Sequence, residues 1–317
     1  MPDGQLGQAY GPVAIGVGGG APPFTFELVD TYCESDLGSA DFALVGTPRN
    51  WRGSNTYYGY ELPFAFPFYG QSFGQAIVGV DGWINFGPVV GSTWDNSTTG
   101  LAGNLRIAPL WDNLRTDVPG CDIFVDESAP GQVTIRWRAV THIGLLAVNV
   151  SATLHADGRI RLAYGDGNTG LTPTVGVAAG DDVRYTLSVY DGLATLTGVN
   201  SVELQRSELP AGIVLAADGL LSGTPTQAGR YRAMIRVRDA LERTDSRTLP
   251  LWIRSGVYGD SDGDGDCDLD DLLALLVCWA MPAPDASCLD AFDVNSDGAI
   301  NVRELAALQA AFTGPVP

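Results

Sequence analysis

Two twelve-residue loops near the carboxyl end constrain this chain more than anything else in it. Counted from Asp260, carboxylates fall at loop positions 1, 3, 5, 9 and 12 (Asp260, Asp262, Asp264, Asp268, Asp271), with Gly265 at position 6 and Asp266 at position 7. The pattern recurs 33 residues on: Asp293, Asn295, Asp297, Gly298, Ala299, Asn301 and Glu304 take positions 1, 3, 5, 6, 7, 9 and 12. Alternate oxygen-bearing side chains point inward around a hard cation, position 7 adds its backbone carbonyl, and the glycine permits the sharp turn. The spacing predicts two Ca2+ ions, one per loop. Carboxylates crowded in one loop repel each other without a cation. Metal binding is then also folding energy, and the tail is expected to be disordered or molten without calcium.

The repeat runs beyond the loops. Leu272 matches Leu305, Leu275 matches Leu308, Trp279 matches Phe312 and Pro282 matches Pro315. Each loop therefore leads into a helix of about ten residues that stops near a proline. Ser255-Gly256-Val257-Tyr258-Gly259 is too glycine-rich for a helix before the first loop, so each unit reads as loop plus exiting helix, half of an EF-hand. Gly259 to Gly263 also fits the G-x-S-x-G nucleophile pattern, but no strand precedes it and the calcium spacing accounts for every residue.

This duplicated half EF-hand, over 257–315, resembles the type I dockerin family. The variant with a cysteine late in the first helix and another before the second loop, here Cys278 and Cys288, looks like the tails of secreted planctomycete-type proteins. The resemblance implies a cohesin-like protein partner, met by the duplicated helices. Loop positions 10 and 11 help to choose that partner in the family; here they are Leu269 and Asp270, then Val302 and Arg303. The pairs differ from the Ser/Thr pairs of cellulosomal dockerins and from each other, which puts symmetric two-way docking in doubt. Leu269 is equally consistent with core. A Cys278–Cys288 bridge would close a short loop and contribute roughly 2–3 kcal/mol. Cys33 and Cys121 both lie in the inserted region and are candidates to pair, and Cys267, at loop position 8, reads as a small apolar core residue.

The rest of the chain is β-like. Of 317 residues, 45% are apolar, 17% are charged and 40 are glycine, a turn-rich profile with enough apolar surface for cores. The net charge is −19, and residues 256–317 carry −11 of it. Such a chain lacks the clustered cations that nucleic acid and anionic lipid require. The longest apolar run, Leu272 to Ala280, is far too short to span a bilayer. The first residues contain no apolar leader, and the chain starts inside a domain motif, so it is expected to be a piece of a longer one.

Residues 208–253 alternate like strands. Tyr231, Ala233, Ile235 and Val237 interleave with Arg232, Met234, Arg236 and Arg238, and Asp218-Gly219 marks a tight turn. The run from Leu209 to Tyr231 resembles the Putative Ig (cadherin-like) family of bacterial surface proteins. Forty-odd residues cannot close a sandwich, and the family's first half matches the start of the chain, at Pro2-Asp3-Gly4, Ala9-Tyr10 and Pro22 to Leu28. One discontinuous Ig-like domain, 1–30 plus 206–254, is therefore expected, with Asp30 and Arg206 within one or two strand spacings of ~4.8 Å. The glycines from Gly16 to Gly20 mimic a dinucleotide loop, but Pro22-Pro23 follows where its helix should start, so a turn is expected.

Residues 31–205 carry hairpin signals, Ile77 to Phe86 with Asp81-Gly82 at the tip and Leu145 to Tyr164 with Asp157-Gly158, and no ten-residue helix. With Phe66-Pro67-Phe68-Tyr69-Gly70 and Ile107 to Leu114, this region resembles the nidogen-like accessory domain of secreted bacterial proteins. The expected fold is mainly β: an Ig-like sandwich with a larger inserted β-sandwich, followed by the small all-α dockerin-like domain at 257–317. Asp112 beside Trp111 is a possible ligand contact, although a packed Trp with a turn-capping Asp is the simpler reading.

Catalytic patterns are scarce. His142 and His155 lie in strand-like stretches, and HExxH, P-loop and CxxC patterns are absent. The expectation is a non-catalytic, extracellular protein that docks through its tail and displays the sandwich as a binding or adhesion module. The alternatives are a carbohydrate-binding accessory of a polysaccharide-degrading system, signalled by an exposed platform of Trp51, Tyr57, Tyr58 and Trp94, and a glycosidase, signalled by two carboxylates ~5–9 Å apart in a cleft.

Overall fold

Period-two alternation and Asp-Gly turns dictate most of the chain's elements. The computed structural model describes residues 1, 3–39, 42–254, 258–261, 267–281, 284, 286–294 and 298–312. Compact units are formed by residues 1–28 with 208–317, and by 29–207.

The first unit starts with β1 (Gly4–Gln5), β2 (Tyr10–Ala14) and β3 (Thr25–Leu28). The second holds β4 (Tyr32–Asp36), β5 (Thr47–Pro48), β6 (Tyr57–Phe68), β7 (Gln71–Gly79), β8 (Trp83–Asn85), β9 (Leu105–Trp111) and β10 (Leu114–Arg115). It continues through β11 (Asp122–Asp126), β12 (Gln132–Thr141), β13 (Ala147–His155), β14 (Ile160–Tyr164), β15 (Thr174–Ala179), β16 (Tyr185–Leu187) and β17 (Val202–Arg206), with a short helix α1 (Thr98–Ala102). The chain returns to the first unit as β18 (Ile213–Leu215), β19 (Leu220–Gly223), β20 (Gly229–Arg238) and β21 (Thr244–Arg254), then α2 (Leu269–Trp279), α3 (Ala286–Phe292) and α4 (Val302–Ala311).

In the second unit, one sheet runs β4-β17-β14-β13-β12-β11-β5 with β10 beside β12, and the other runs β16-β15-β9-β8-β7-β6. Their inner faces share one apolar core, including Phe66, Val78, Ile107, Trp137, Val150 and Leu162. Two polar tips stitch the sheets: Trp137 Nε1 donates to the Gly79 carbonyl at 2.8 Å, and the Tyr164 hydroxyl to the Pro109 carbonyl at 3.0 Å. Both hairpins form where the Asp-Gly pairs place them. Gly82 adopts φ +82°, and a Cβ there would run into the Leu110 carbonyl, so that tip accepts only glycine.

In the first unit, the order β1-β21-β20-β3 makes one sheet and β18-β19-β2 another. The start of the chain thus pairs with 213–254: Gly4 lies beside Ile253, Val13 beside Leu221 and Phe26 beside Val237. Tyr10, Ile213, Leu221, Tyr231, Leu251 and Ile253 form the core between them. In the second unit, β4 and β17 pair antiparallel, with Tyr32 opposite Arg206. Asp30 accepts from Arg206 Nη2 at 3.1 Å and also pairs with Arg184.

The tail has a separate core of Cys267, Leu275, Cys278, Cys288, Phe292, Ile300 and Leu308. Here the structure adds an element: α3 precedes the second loop, so that unit is helix–loop–helix rather than loop plus exiting helix. It forms because Cys288 and Phe292, one turn apart, both bury into this core.

Candidate metal centre

Both exiting helices open with the same device. Asp268 is extended at the N-cap of α2 and accepts from Asp270 N at 2.8 Å, while Asp271, at the third helical position, reaches back to Asp268 N at 2.8 Å. At α4, Asn301 accepts from Arg303 N at 3.0 Å, and Glu304 reaches back to Asn301 N at 2.9 Å. Each is a capping box, and each uses loop positions 9 and 12. The residue types that suit a cation ring are therefore the ones that start the helix.

Position 12 differs between the loops. Asp271, 1% exposed, accepts at Oδ1 from Ser261 N (2.6 Å) and Ser261 Oγ (2.9 Å), so both its oxygens are engaged. Glu304 is fully buried; its Oε2 is used by the capping box, but Oε1 is buried without a hydrogen-bond partner. A buried carboxylate oxygen left bare is costly, and a calcium ion, held by a position-12 glutamate through both oxygens, would satisfy it. Asp293, 6% exposed, stands at position 1 and accepts from Gly298 N at 2.9 Å. Gly298 has φ +79°, the turn expected at position 6.

By loop position Asp260, Asp268 and Asp271 would serve calcium in the first loop, and Asp293, Ala299 (by its carbonyl), Asn301 and Glu304 in the second; among the described residues no three acids are gathered into a metal site. Asp262, Asp264, Asp266, Asn295 and Asp297 lie outside the described residues. Beneath the loops, Cys267 and Ile300, both at position 8, sit in the tail core. The Tyr258 hydroxyl donates to the Phe292 carbonyl at 2.7 Å, and burial pushes its pKa up to about 12.

Cys278 and Cys288 are joined, with Cα atoms 5.5 Å apart and ten positions of chain between them. The bridge ties the end of α2 to α3. Cys33 and Cys121 do not pair: both are buried thiols. Cys33 lies in β4 and Cys121 next to β11, five strand steps apart in one sheet, or ~24 Å at ~4.8 Å per step, far beyond disulfide reach.

The partner-selecting positions are on the surface. Leu269 is 69% exposed, which removes the reading of it as core, and Val302 is 65% exposed; Asp270 and Arg303 are exposed as well. Sequence reasoning missed what adjoins Leu269. Leu273, Leu276 and Val277 are also exposed, and their i, i+4, i+7, i+8 spacing sets them along one side of α2. The matching residues of α4, after Val302, are Ala306, Gln309 and Ala310. The signal was available in the repeat alignment, but the inward Leu272 and Leu275 drew attention first.

Trp111 is buried and Asp112 caps a turn, accepting from Asn113 N and Thr172 N. Trp51 and Tyr58 stack on each other at 5.6 Å and 4°, whereas Tyr57 and Trp94 remain exposed. The structure brings Ser54 Oγ to 3.1 Å from His142 Nδ1, a pair that 88 residues of separation hid from sequence reasoning. No carboxylate hydrogen-bonds that imidazole among the described residues, so the third member of a triad is missing. His155 is half-buried, and burial lowers its pKa, followed by the Arg159 charge. Two surface grooves contain one carboxylate each, Glu61 in one and Asp166 in the other. Among the described residues no helix is long and apolar enough to cross a membrane.

Comparison with known proteins supplies the family context. Residues 40–208 match the family described as NIDO related, 167–252 match "Putative Ig domain", and 258–313 match the dockerin type I domain. The first two matches overlap at 167–208, a stretch that the structure builds into the second unit up to residue 207. No curated protein and no solved structure matches the chain. A dockerin type I domain typically binds calcium and implies a cohesin partner, and such domains occur in extracellular cellulosome-type proteins.

Proposed function

The chain belongs to the NIDO-related family, and on that premise we propose that it is a non-catalytic extracellular protein whose dockerin tail docks one way round. The NIDO-related sandwich is then the module it presents, for adhesion or ligand binding. Two calcium ions set the tail's fold, and the α2 face meets the cohesin.

The observation that carries this reading is the asymmetry between the repeats. The outer side of α2 exposes Leu269, Leu273, Leu276 and Val277, while the equivalent side of α4 offers only Val302 among small or polar residues. A contiguous exposed apolar stripe is the kind of surface that contacts a partner, and affinity concentrates where large apolar groups are desolvated. The non-catalytic part is supported by the lack of a carboxylate on the Ser54–His142 pair and by single carboxylates in the grooves.

Titration of cohesin domains with the full chain in calcium tests it. L273D should abolish binding, A306D should leave it within about twofold, and chelation should remove it from the wild type and A306D. Equal losses from the two substitutions would overturn one-way docking. A second reading, a carbohydrate-binding accessory of a polysaccharide-degrading system, draws on Tyr57 and Trp94, which are 48% and 44% exposed.

A further inference from the structure

The outer face of the larger sheet of the second unit holds a groove unlike the rest of this acidic chain. Along β12, Ile135 and Trp137 face the core, so Arg136 and Arg138 face the other way. Phe124 lies opposite Arg136 and Asn149 opposite Arg138 in the sheet register. Together with Phe42 and Asp166 these residues line a groove of about 780 Å³.

Among the described residues neither arginine has a counter-ion. Arg136 is 4% exposed and lies 4.0 Å over the Phe124 ring, and its Nε donates to the Val45 carbonyl at 3.0 Å. Among the described residues no partner is seen for its two terminal nitrogens, and the residue lines the groove. Burial, and then the charge of Arg138, push the Arg136 pKa down. Asp122, across the sheet from Arg138, is occupied by the backbone N–H groups of Asn50, Trp51 and Ile123. Asp166 lines the same groove without an ion pair to either arginine among the described residues. In a chain of net charge −19, two neighbouring guanidinium groups that no acid pairs with among the described residues mark a place for an external anion.

The other groups narrow its chemistry. A planar carboxylate matches a guanidinium fork. Asn149 and Asp166 suit hydroxyl groups, and Phe124 and Phe42 suit the apolar face of a ring. We propose that this groove binds a carboxylated sugar, a uronic acid unit of an acidic polysaccharide. The inference rests on the accessory reading and gives it a specific site away from Tyr57 and Trp94.

Calorimetric titration of the full chain with digalacturonate, against the neutral galactose disaccharide, tests it. The acidic disaccharide should bind at least tenfold more tightly, and less tightly as salt rises. R138Q, at an exposed position, should weaken it at least tenfold, as should R136K, which keeps the charge but loses the fork. If R136K fails to fold, R138Q decides alone. Binding unaffected by R138Q, equal affinity for the neutral sugar, no uptake at millimolar sugar, or an R138-dependent preference for an oligoglutamate peptide would each overturn it. Neutral-sugar binding that Y57A or W94A removes would keep the accessory reading while sinking this site.

Discussion

At the scale of single residues, the most consequential side chain is one that hydropathy misplaces. Arg106 is fully buried, with its guanidinium between the Trp83 and Trp111 rings at 4.4 and 4.3 Å, and its Nε donates to Asn85 Oδ1 at 2.6 Å. Nearby Asp81, also fully buried, accepts from Leu114 N at 3.1 Å. Burial raises the Asp81 pKa to about 8, with Asp112 adding to the rise and Arg106 opposing it. The folded protein therefore holds a proton there that the unfolded chain, with a pKa near 4, gives up. Its contribution is fully present below pH ~4 and is lost as pH climbs toward 8. D81N, which keeps an acceptor for Leu114 N, should flatten that decline. Urea unfolding at pH 5 and pH 8 would show the wild type losing about 1 kcal/mol or more that the variant keeps; parallel losses would disprove the assignment. Trp111 lies on Arg106's own strand, but Trp83 comes from β8, so no short stretch of sequence contains the whole sandwich of rings.

Elements were legible to the degree that their signals are local. Asp-Gly tips, alternation along β12 and β20, and the helices after each loop depend on neighbours in sequence, and all form. α3 was not legible: Ala286 to Phe292 is shorter than a self-sufficient helix and owes its existence to buried Cys288 and Phe292. The metal loops illustrate the same principle from the side of function, since spacing names the ligands, but only folding reveals that Glu304 Oε1 is bare while Asp271 is saturated. E304Q retains an acceptor for the capping box yet removes the negative oxygen. Calcium affinity of the second loop should fall at least tenfold, while helix content in chelator stays that of the wild type. Two undiminished binding heats in the variant would rule this role out.

For the whole molecule, what matters is which distant segments complete one another. β1, β2 and β3 supply neighbours to β21, β19 and β20, a pairing across roughly two hundred residues that composition cannot announce and that only a split motif hinted at. Removing residues 1–28 strips those neighbours and opens sheet edges. Scanning calorimetry of the truncated chain should show the transition of 29–207 retained and that of the Ig-like strands gone. Survival of both would mean that the early strands are dispensable.

The pairing of Tyr32 with Arg206 across β4 and β17 has an architectural corollary. The host chain departs and resumes at a single doorway, about one strand apart, so its own strands need not register how large the excursion is. Any cassette whose ends emerge side by side can be grafted between those two positions. The amino-terminal strands and those after residue 207 thus keep their own pairing whatever length of chain is carried between them.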